Sequence, residues 1–181
     1  MVGCGECKSL SVPLDKFFCM VEKRELTIRY NAYPDWSRLS VPDQDLIEKA
    51  RQAAENSYSP YSKFAVGAAV LLANGEIITG ANQENAAYPS GLCAERVALF
   101  YANAQYPEVS VKAIAVAAYN QNGMLIDPVP PCGACRQVMS ETENRYNQPI
   151  RVFLPGEHEV LEFDSVADLL PFGFKPSYLT A

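Results

Sequence analysis

Two short segments, Cys93-Ala94-Glu95-Arg96 and Pro131-Cys132-Gly133-Ala134-Cys135-Arg136, organise this sequence, because together they carry three thiols and one carboxylate. Three thiolates can hold a zinc ion and leave its fourth coordination position open for water, which is the arrangement of catalytic rather than structural zinc. Glu95 follows the first thiol by two residues and is then a candidate proton carrier. The pattern predicts a zinc centre where the two segments meet.

Both segments are predicted to begin helices. Cys132 and Cys135 are three residues apart directly after Pro131, a residue favoured at helix starts, so both thiols should project from one side of the first turn. Cys93 begins a second run of apolar residues at helical spacing. Because the N-terminal end of a helix favours negative charge, both helices should stabilise thiolates at the zinc centre.

Each segment has an arginine close after a thiol. Arg96 follows Cys93 by three residues, and Arg136 directly follows Cys135. Three thiolates leave a divalent zinc site with net negative charge, and a guanidinium bonded to sulfur would offset part of that charge. We assign this role to Arg96, whereas a solvated surface charge is the favoured interpretation of Arg136. For Glu95 the alternative is an ordinary helix N-terminal carboxylate.

Composition limits the classes of function. The chain has 181 residues, 49% of them hydrophobic and 20% charged, as in a single globular domain. Its net charge of -6 disfavours nucleic-acid binding, and no apolar run is long enough to span a membrane. The start of the chain lacks the apolar core of a secretory signal, so we expect a reducing cytoplasm in which cysteines are free thiols or metal ligands.

Residues 1–41 are predicted to be an N-terminal extension. We expect residues 1–20 to be disordered, with Met20 as a candidate start, and residues 25–33 to form an edge strand or to lie on a partner subunit. Cys4, Cys7 and Cys19 fall in this extension, and a structural metal on them is the less favoured interpretation.

The remaining pattern alternates helices and strands. Ser40 is a candidate helix cap, and Asn74-Gly75 is a strong two-residue hairpin signal. The predicted helices cover residues 41–56, 93–104 and 132–146, with a last short helix capped by Asp164. The predicted strands cover residues 64–72, 76–81, 111–119, 150–154 and 160–163. This order predicts an α/β fold with a mixed five-stranded sheet, in which strands separated by helices are parallel neighbours.

The combination of C-x-E with P-C-x-x-C matches the zinc-dependent deaminase signature, a case that is itself a standard example of zinc-activated water and Glu proton transfer. From about residue 42 to residue 174 the sequence closely resembles the small homotetrameric cytidine deaminases. Beside the two zinc segments, the resemblance rests on residues 58–64 (YSPYSKF), 82–86 (NQENA) and 88–96 (YPSGLCAER).

The resemblance implies a cytidine deaminase domain over residues 42–181, with a three-layer α/β/α fold. It implies hydrolytic, zinc-dependent deamination of cytidine, and also of deoxycytidine, to uridine or deoxyuridine and ammonia in pyrimidine salvage. It further implies one zinc ion per chain, held by Cys93, Cys132 and Cys135, with Glu95 as the catalytic residue. The implied enzyme is a cytoplasmic homotetramer with composite active sites that acts on a small nucleoside, not on nucleic acid.

The same resemblance assigns substrate contacts. Asn82 and Glu84 would hydrogen-bond the ribose hydroxyls, Phe64 would pack against the nucleoside, and the Ala94 backbone would meet the base edge. Tyr88 and Phe174 resemble positions that complete a neighbouring subunit's site.

Four alternatives stay open. Ordinary core or interface packing would account for Phe64, Tyr88 and Phe174 without any substrate role. The deaminase of the cytosine-containing antibiotic blasticidin shares the zinc motifs, although Asn82 and Glu84 favour a ribose. A non-catalytic zinc scaffold would need a fourth ligand from the N-terminal cysteines or from His158, and a polynucleotide deaminase would need a basic stripe beside the pocket.

Overall fold

The structure is a computed structural model that describes residues 22–179. The predicted disorder of residues 1–20 and the three N-terminal cysteines fall outside these residues. Across residues 22–179, no helix is both long enough and apolar enough to cross a bilayer.

One mixed sheet forms the centre of the protein. Its strands run in the order β1-β7-β6-β4-β2-β3, and the short β5 pairs with β4. The strands are β1 (Asn31–Tyr33), β2 (Ala65–Leu72), β3 (Ile77–Ala81), β4 (Val111–Asn120), β5 (Gly123–Met124), β6 (Arg151–Pro155) and β7 (Val160–Phe163). The sheet therefore has seven strands rather than the predicted five, because two strands of only two and three residues extend it.

Helices cover both faces of the sheet and give the predicted three layers. They are α1 (Val41–Ala54), α2 (Ala94–Gln105) and α3 (Gly133–Tyr146). Alternate residues of the central strand β4 divide between two cores: Ala113, Ala115 and Ala117 pack with α1, whereas Ile114 and Val116 pack with α2 and α3. The two helices that begin at the predicted ligands thus share one face.

Two glycines matter for the position of α2. Gly75 has φ +91°, as the predicted Asn74-Gly75 hairpin requires, and β3 returns antiparallel to β2 after it. On β3, a Cβ atom added to Gly80 would lie 2.6 Å from the Ala98 nitrogen and 2.8 Å from the Ala94 oxygen. The absence of a side chain at Gly80 lets the first turns of α2 pack directly on the sheet.

Strand direction differs from the prediction. Only β4 and β6 are parallel, whereas every other pair in the sheet is antiparallel. The prediction that helix-separated strands are parallel neighbours is confirmed for β4 and β6. It is wrong for β3 and β4, because β2 lies between them and pairs antiparallel with both.

Two predicted ends also need correction. The strand predicted over residues 25–33 pairs only over Asn31–Tyr33. Its partner β7 has only four residues, and three of them, Val160 to Glu162, already pair with β1. The predicted last helix is a single 3₁₀ turn, Val166–Asp168, and its cap is Ser165 rather than Asp164, since the Ser165 hydroxyl accepts from the Ala167 amide.

An ion network joins β1 to the domain. The Arg151 guanidinium donates to both Asp43 oxygens, at 3.1 and 3.0 Å, and to Glu162 at 2.6 Å. Glu162 is buried and also accepts from the Tyr33 hydroxyl at 2.6 Å and from Asn31 at 3.2 Å. The edge strand is thus held by side chains as well as by its short ladder.

Candidate active site

The three predicted thiols lie together. The Sγ atoms of Cys93 and Cys132 are 3.8 Å apart, those of Cys132 and Cys135 are 3.4 Å apart, and all three lie within 4.8 Å of one another. Zinc–sulfur bonds of about 2.3 Å in a tetrahedral site put sulfurs about 3.8 Å apart, so the cluster fits a zinc ion. No other histidine, cysteine, aspartate or glutamate ligand atom joins this cluster within residues 22–179.

Helix starts position these thiols. Cys93 caps α2 and Cys132 caps α3, both with extended backbone, while Cys135 is buried in the first turn of α3. The neighbouring Cys135 thiol and the Arg96 guanidinium lower the pKa of Cys93 to about 5, against the effect of partial burial. Cys93 is therefore the thiol that most readily becomes a thiolate, the form that binds zinc, whereas its hydrogen bond with Cys93 and burial raise the pKa of Cys135.

Arg96 contacts the cluster as expected. Its Nη2 atom donates to the Cys93 sulfur at 3.4 Å, and this bond raises the pKa of Arg96. Its Nε atom is buried without a hydrogen-bond partner among the described residues. Three thiolates on a divalent zinc ion would carry a net negative charge, and the guanidinium of Arg96 beside the Cys93 sulfur would offset part of it.

Arg136 does not contact the sulfurs. Its Nε atom donates to the Pro131 carbonyl at 2.7 Å, and its Nη1 atom donates to the Leu169 carbonyl at 2.8 Å. It is therefore neither a ligand partner nor a simple solvated charge, but a link between the thiol segment and the C-terminal part of the chain.

Glu95 lies in the first turn of α2, two residues after Cys93, and is only 4% exposed. Burial, with the nearby Cys93 as a smaller contribution, raises the pKa of this carboxyl. A buried carboxyl with a raised pKa holds a proton more readily than an exposed one, as a proton carrier requires.

A cavity of about 580 Å³ opens over the thiols. Its wall includes Cys93, Cys132, Glu95 and Arg96. Four of the predicted substrate residues also line it: Phe64, Asn82, Glu84 and Tyr88. Cavities of this size and mixed lining are typical of small-molecule sites.

The Asn82 side chain makes several internal bonds. Its Oδ1 atom accepts from the Val66 amide at 2.8 Å and from the Ser57 hydroxyl at 2.6 Å, and its Nδ2 atom donates to the Phe64 carbonyl at 2.9 Å. Since the amide has two N–H donors, one remains for another partner. Asn82 thus fixes the cavity wall in addition to any ribose contact.

Glu84 has one oxygen bound and one available. Its Oε2 atom accepts from the Tyr61 and Ser62 amides at 2.9 and 3.3 Å. A hydrogen bond from the Ser62 side chain is the main reason that the pKa of Glu84 is lowered. The ionised carboxylate keeps lone pairs free to accept from a ligand hydroxyl.

The remaining predicted contacts differ in exposure. Phe64 is half-buried in the cavity wall and follows Lys63, which has φ +56°. Ala94 is fully buried, its side chain packs in the core on the α2 side of the sheet, and it is not part of the cavity wall. Tyr88 is 78% exposed at the cavity rim, with its ring edge-on to Tyr61 at 6.3 Å.

Phe174 is 55% exposed and does not line this chain's own cavity. Its ring lies 5.8 Å from that of Tyr178. Its backbone is held from both sides, because Gln137 donates to the Phe174 carbonyl at 2.8 Å and accepts from the Phe174 amide at 3.3 Å.

Sequence reasoning did not single out several cavity residues. Polar members of the wall are Gln83 and Asn85, and apolar members are Val116, Val129 and Pro130. Gln83 and Asn85 alternate with the predicted ribose contacts Asn82 and Glu84, and this alternation could have pointed to them. The apolar wall comes from the middle of β4 and the loop before α3, and only the folded sheet brings these together.

Comparisons with known proteins agree with this geometry. The family model of the cytidine and deoxycytidylate deaminase zinc-binding region matches residues 40–147. The chain is 46% identical to a cytidine deaminase of Halalkalibacterium halodurans over 131 residues, which cover 72% of this chain and 92% of that protein. It is 42% identical to a cytidine deaminase of Sporosarcina psychrophila over 137 residues, which cover 76% of this chain and 94% of that protein.

Solved structures give the same result. The crystal structure of cytidine deaminase from Burkholderia pseudomallei matches with a TM-score of 0.62 and 42% identity, over 72% of this chain and 97% of that chain. That of the Mycobacterium tuberculosis enzyme matches with a TM-score of 0.58 and 30% identity, over 75% of this chain and 99% of that chain. With three thiols at the matched zinc-binding region, this chain belongs to the cytidine deaminase family.

Proposed function

We propose that this protein catalyses the hydrolytic deamination of cytidine, and of deoxycytidine, to uridine or deoxyuridine and ammonia in pyrimidine salvage. The observation that carries the proposal is the buried carboxyl of Glu95 beside three thiols, in the wall of a cavity of about 580 Å³. Family membership supports the same reaction.

Cys93, Cys132 and Cys135 would hold one zinc ion per chain. When bound, zinc supplies Lewis-acid activation of a water molecule near neutral pH. Arg96 offsets part of the thiolate charge through its bond to the Cys93 sulfur. The two helix N-termini at the site favour the same negative charge.

Glu95 moves the protons. It takes a proton from the attacking water and gives it to N3 of the cytosine ring, while the new C4–O bond forms. It then passes the second water proton to the amino group, so that the C4–N bond breaks and ammonia leaves. Burial of Glu95 keeps bulk water from competing for these protons.

The sugar is bound on the other side of the cavity. The free N–H of Asn82 and the free oxygen of Glu84 bind the ribose hydroxyls, and Phe64 packs against the nucleoside. The side chain of Ala94 lies in the core, outside the cavity wall, but Ala94 is the first residue of α2, between the cavity-lining Cys93 and Glu95, where the backbone N–H groups have no partner within the helix. From this position its backbone would meet the base edge.

The active form is a homotetramer with composite sites. Large aromatic side chains remain exposed on the single chain, with Tyr88 at 78% and Phe174 at 55%, and burial of such groups favours association. Each subunit lends Phe174, which does not line its own cavity, to a neighbour's cavity, and Tyr88 at the rim of its own cavity also reaches the neighbouring site. In this proposal residues 42–181 form the catalytic domain, residues 1–41 are an extension, and the enzyme works in the cytoplasm without binding nucleic acid.

The test is incubation of the purified protein with cytidine while the cytidine absorbance is followed and uridine and ammonia are quantified. Equal amounts of both products, with deoxycytidine also turned over, support the proposal. Turnover of blasticidin but not of cytidine would contradict it. Light scattering on the same sample tests the tetramer, for which a monomer is the contrary result.

A further inference from the structure

Two consecutive residues of α3 hold the C-terminal aromatic segment, defined here as residues 169–174. Arg136 donates to the Leu169 carbonyl at 2.8 Å, at the beginning of the segment. Gln137 makes two bonds to the backbone of Phe174, at its end. Both ends of the segment are therefore attached to the same helical turn.

That turn belongs to the thiol centre. Cys135 directly precedes Arg136, and the Arg136 Nε atom also donates to the carbonyl of Pro131, the buried residue just before Cys132. One guanidinium thus connects the backbone in front of a ligand to the backbone of the aromatic segment. Two hydrogen bonds from Arg136, to Pro131 and to Leu169, therefore fix the position of the segment relative to the thiols.

The segment between these attachments is unusual in conformation. Phe172 has φ +60°, a value that non-glycine residues rarely adopt, and its side chain is 96% exposed. Gly173 is buried, and a Cβ atom there would lie 2.9 Å from the Leu170 side chain. Such a backbone persists when its surroundings hold it, and Arg136 and Gln137 supply contacts at both ends.

We propose that Arg136 and Gln137 are positioning residues that set where the C-terminal aromatic segment lies relative to the thiol centre, and so tune nucleoside binding in the neighbouring subunit. This inference rests on the proposed function, in which Phe174 enters a neighbour's cavity. Neither residue contacts a sulfur atom or lines the cavity. Their effect is therefore transmitted through the segment.

Gln137→Leu is the informative variant, because it keeps the size of a partly exposed side chain and removes both bonds to Phe174. Gln105→Leu, at the exposed end of α2, is the matched control. We expect Gln137→Leu to raise KM for cytidine about tenfold. Its kcat and zinc content should stay within about twofold of wild type, because a bound substrate still meets an intact centre.

A second readout does not depend on activity. The Phe174 amide, which donates to Gln137, should exchange its hydrogen about tenfold faster in Gln137→Leu and at the wild-type rate in Gln105→Leu. Unchanged exchange at Phe174, or unchanged KM, would overturn the inference. If the wild type makes no uridine, the proposed function fails, while the exchange rate still decides whether Gln137 holds the segment.

Mixed oligomers test the direction of the effect. Gln137→Leu subunits are co-expressed with Glu95→Gln subunits, whose own centres are inactive but whose aromatic segments are intact. We expect KM of the remaining activity to move back toward the wild-type value, since active centres then receive a correctly placed segment from a neighbour. A mixture that keeps the raised KM would overturn the inference that the segment acts between subunits.

Discussion

The Sγ atoms of Cys93 and Cys132 lie 3.8 Å apart, although the residues are 39 positions apart in the sequence. Each is the cap of its own helix, and both helices pack on one face of the sheet. The distance between the two thiols is therefore set by the packing of α2 and α3, and the metal site depends on the whole domain.

Replacement of a ligand should remove the metal. In Cys132→Ser the hydroxyl is a poor zinc ligand, so we expect the zinc content to fall from one per chain to a small fraction, with loss of deamination and a lower melting temperature. Zinc is measured by atomic absorption after dialysis. The control is the triple replacement of Cys4, Cys7 and Cys19 by Ser, which should leave the zinc content unchanged. Loss of zinc from the triple variant would instead favour a site closed by a fourth, N-terminal ligand.

The two proposed ribose contacts should respond differently to substitution. Glu84→Gln keeps an oxygen that can accept from the Tyr61 and Ser62 amides but removes the charge, so we expect KM for cytidine to rise at least about tenfold at unchanged stability. Glu76→Gln, exposed in the hairpin, is the control. A KM equal to that of wild type would remove Glu84 from the binding site.

Asn82→Ala should also destabilise the fold, because it removes three bonds that hold the cavity wall and leaves the Phe64 carbonyl without this donor. We expect the free energy of unfolding to fall by about 2 kcal/mol, measured by urea denaturation at a fixed protein concentration. Wild-type stability with a raised KM would show that Asn82 acts only on the substrate.

The Arg151 network should make stability depend on pH. Burial alone would raise the pKa of Glu162, but bonds from Tyr33 and Arg151 outweigh it, so the pKa lies below its ordinary value of 4.5. Because the folded pKa is lower than the unfolded one, the stabilisation is complete above the ordinary pKa and is lost as the pH falls through the lowered one. We expect Glu162→Gln to cost about 2 kcal/mol at pH 7 and progressively less below about pH 4.

Urea denaturation across pH 3 to 8 measures this difference, with Glu141→Gln on the exposed surface of α3 as the control. Asp43 also faces Arg151 and is present in both proteins, so the difference between them isolates Glu162. A gap between wild type and Glu162→Gln that is the same at pH 3 and pH 7 would contradict the assignment.

Local signals predicted much of the fold. Asn74-Gly75 fixed the hairpin, Ser40 was recognised as the cap of α1, and the three thiols marked the starts of α2 and α3. These features depend on a few neighbouring residues. Long-range pairing was harder to predict from local residues. β5 has only two residues and forms by pairing with the extended end of β4. The antiparallel direction of β4 relative to β2 depends on the chain between them, not on either strand alone.

At the site, the sequence predicted that the three thiols lie together, as the structure shows, but Ala94 and Phe174 lie outside the cavity wall, and the sequence did not indicate how the polar side chains are bonded. The motif placed Cys93, Glu95 and Arg96 at one helix start, and the structure has Arg96 on the Cys93 sulfur. By contrast, nothing local indicates that Asn82 is bonded to three partners in the cavity wall. Arg136 follows a ligand in the sequence, yet its guanidinium reaches Pro131, just before α3, and Leu169, which lies beyond β7.

The most direct test of the central claim compares wild type with Glu95→Gln, with uridine formation and zinc content measured on the same samples. We predict one zinc ion per chain in both proteins, rapid uridine formation by wild type, and a rate at least about a hundredfold lower for Glu95→Gln, since the amide cannot carry the proton. Zinc-loaded Glu95→Gln that deaminates cytidine at the wild-type rate would contradict the role of Glu95. Zinc-loaded wild type that forms no uridine would contradict the proposed function itself.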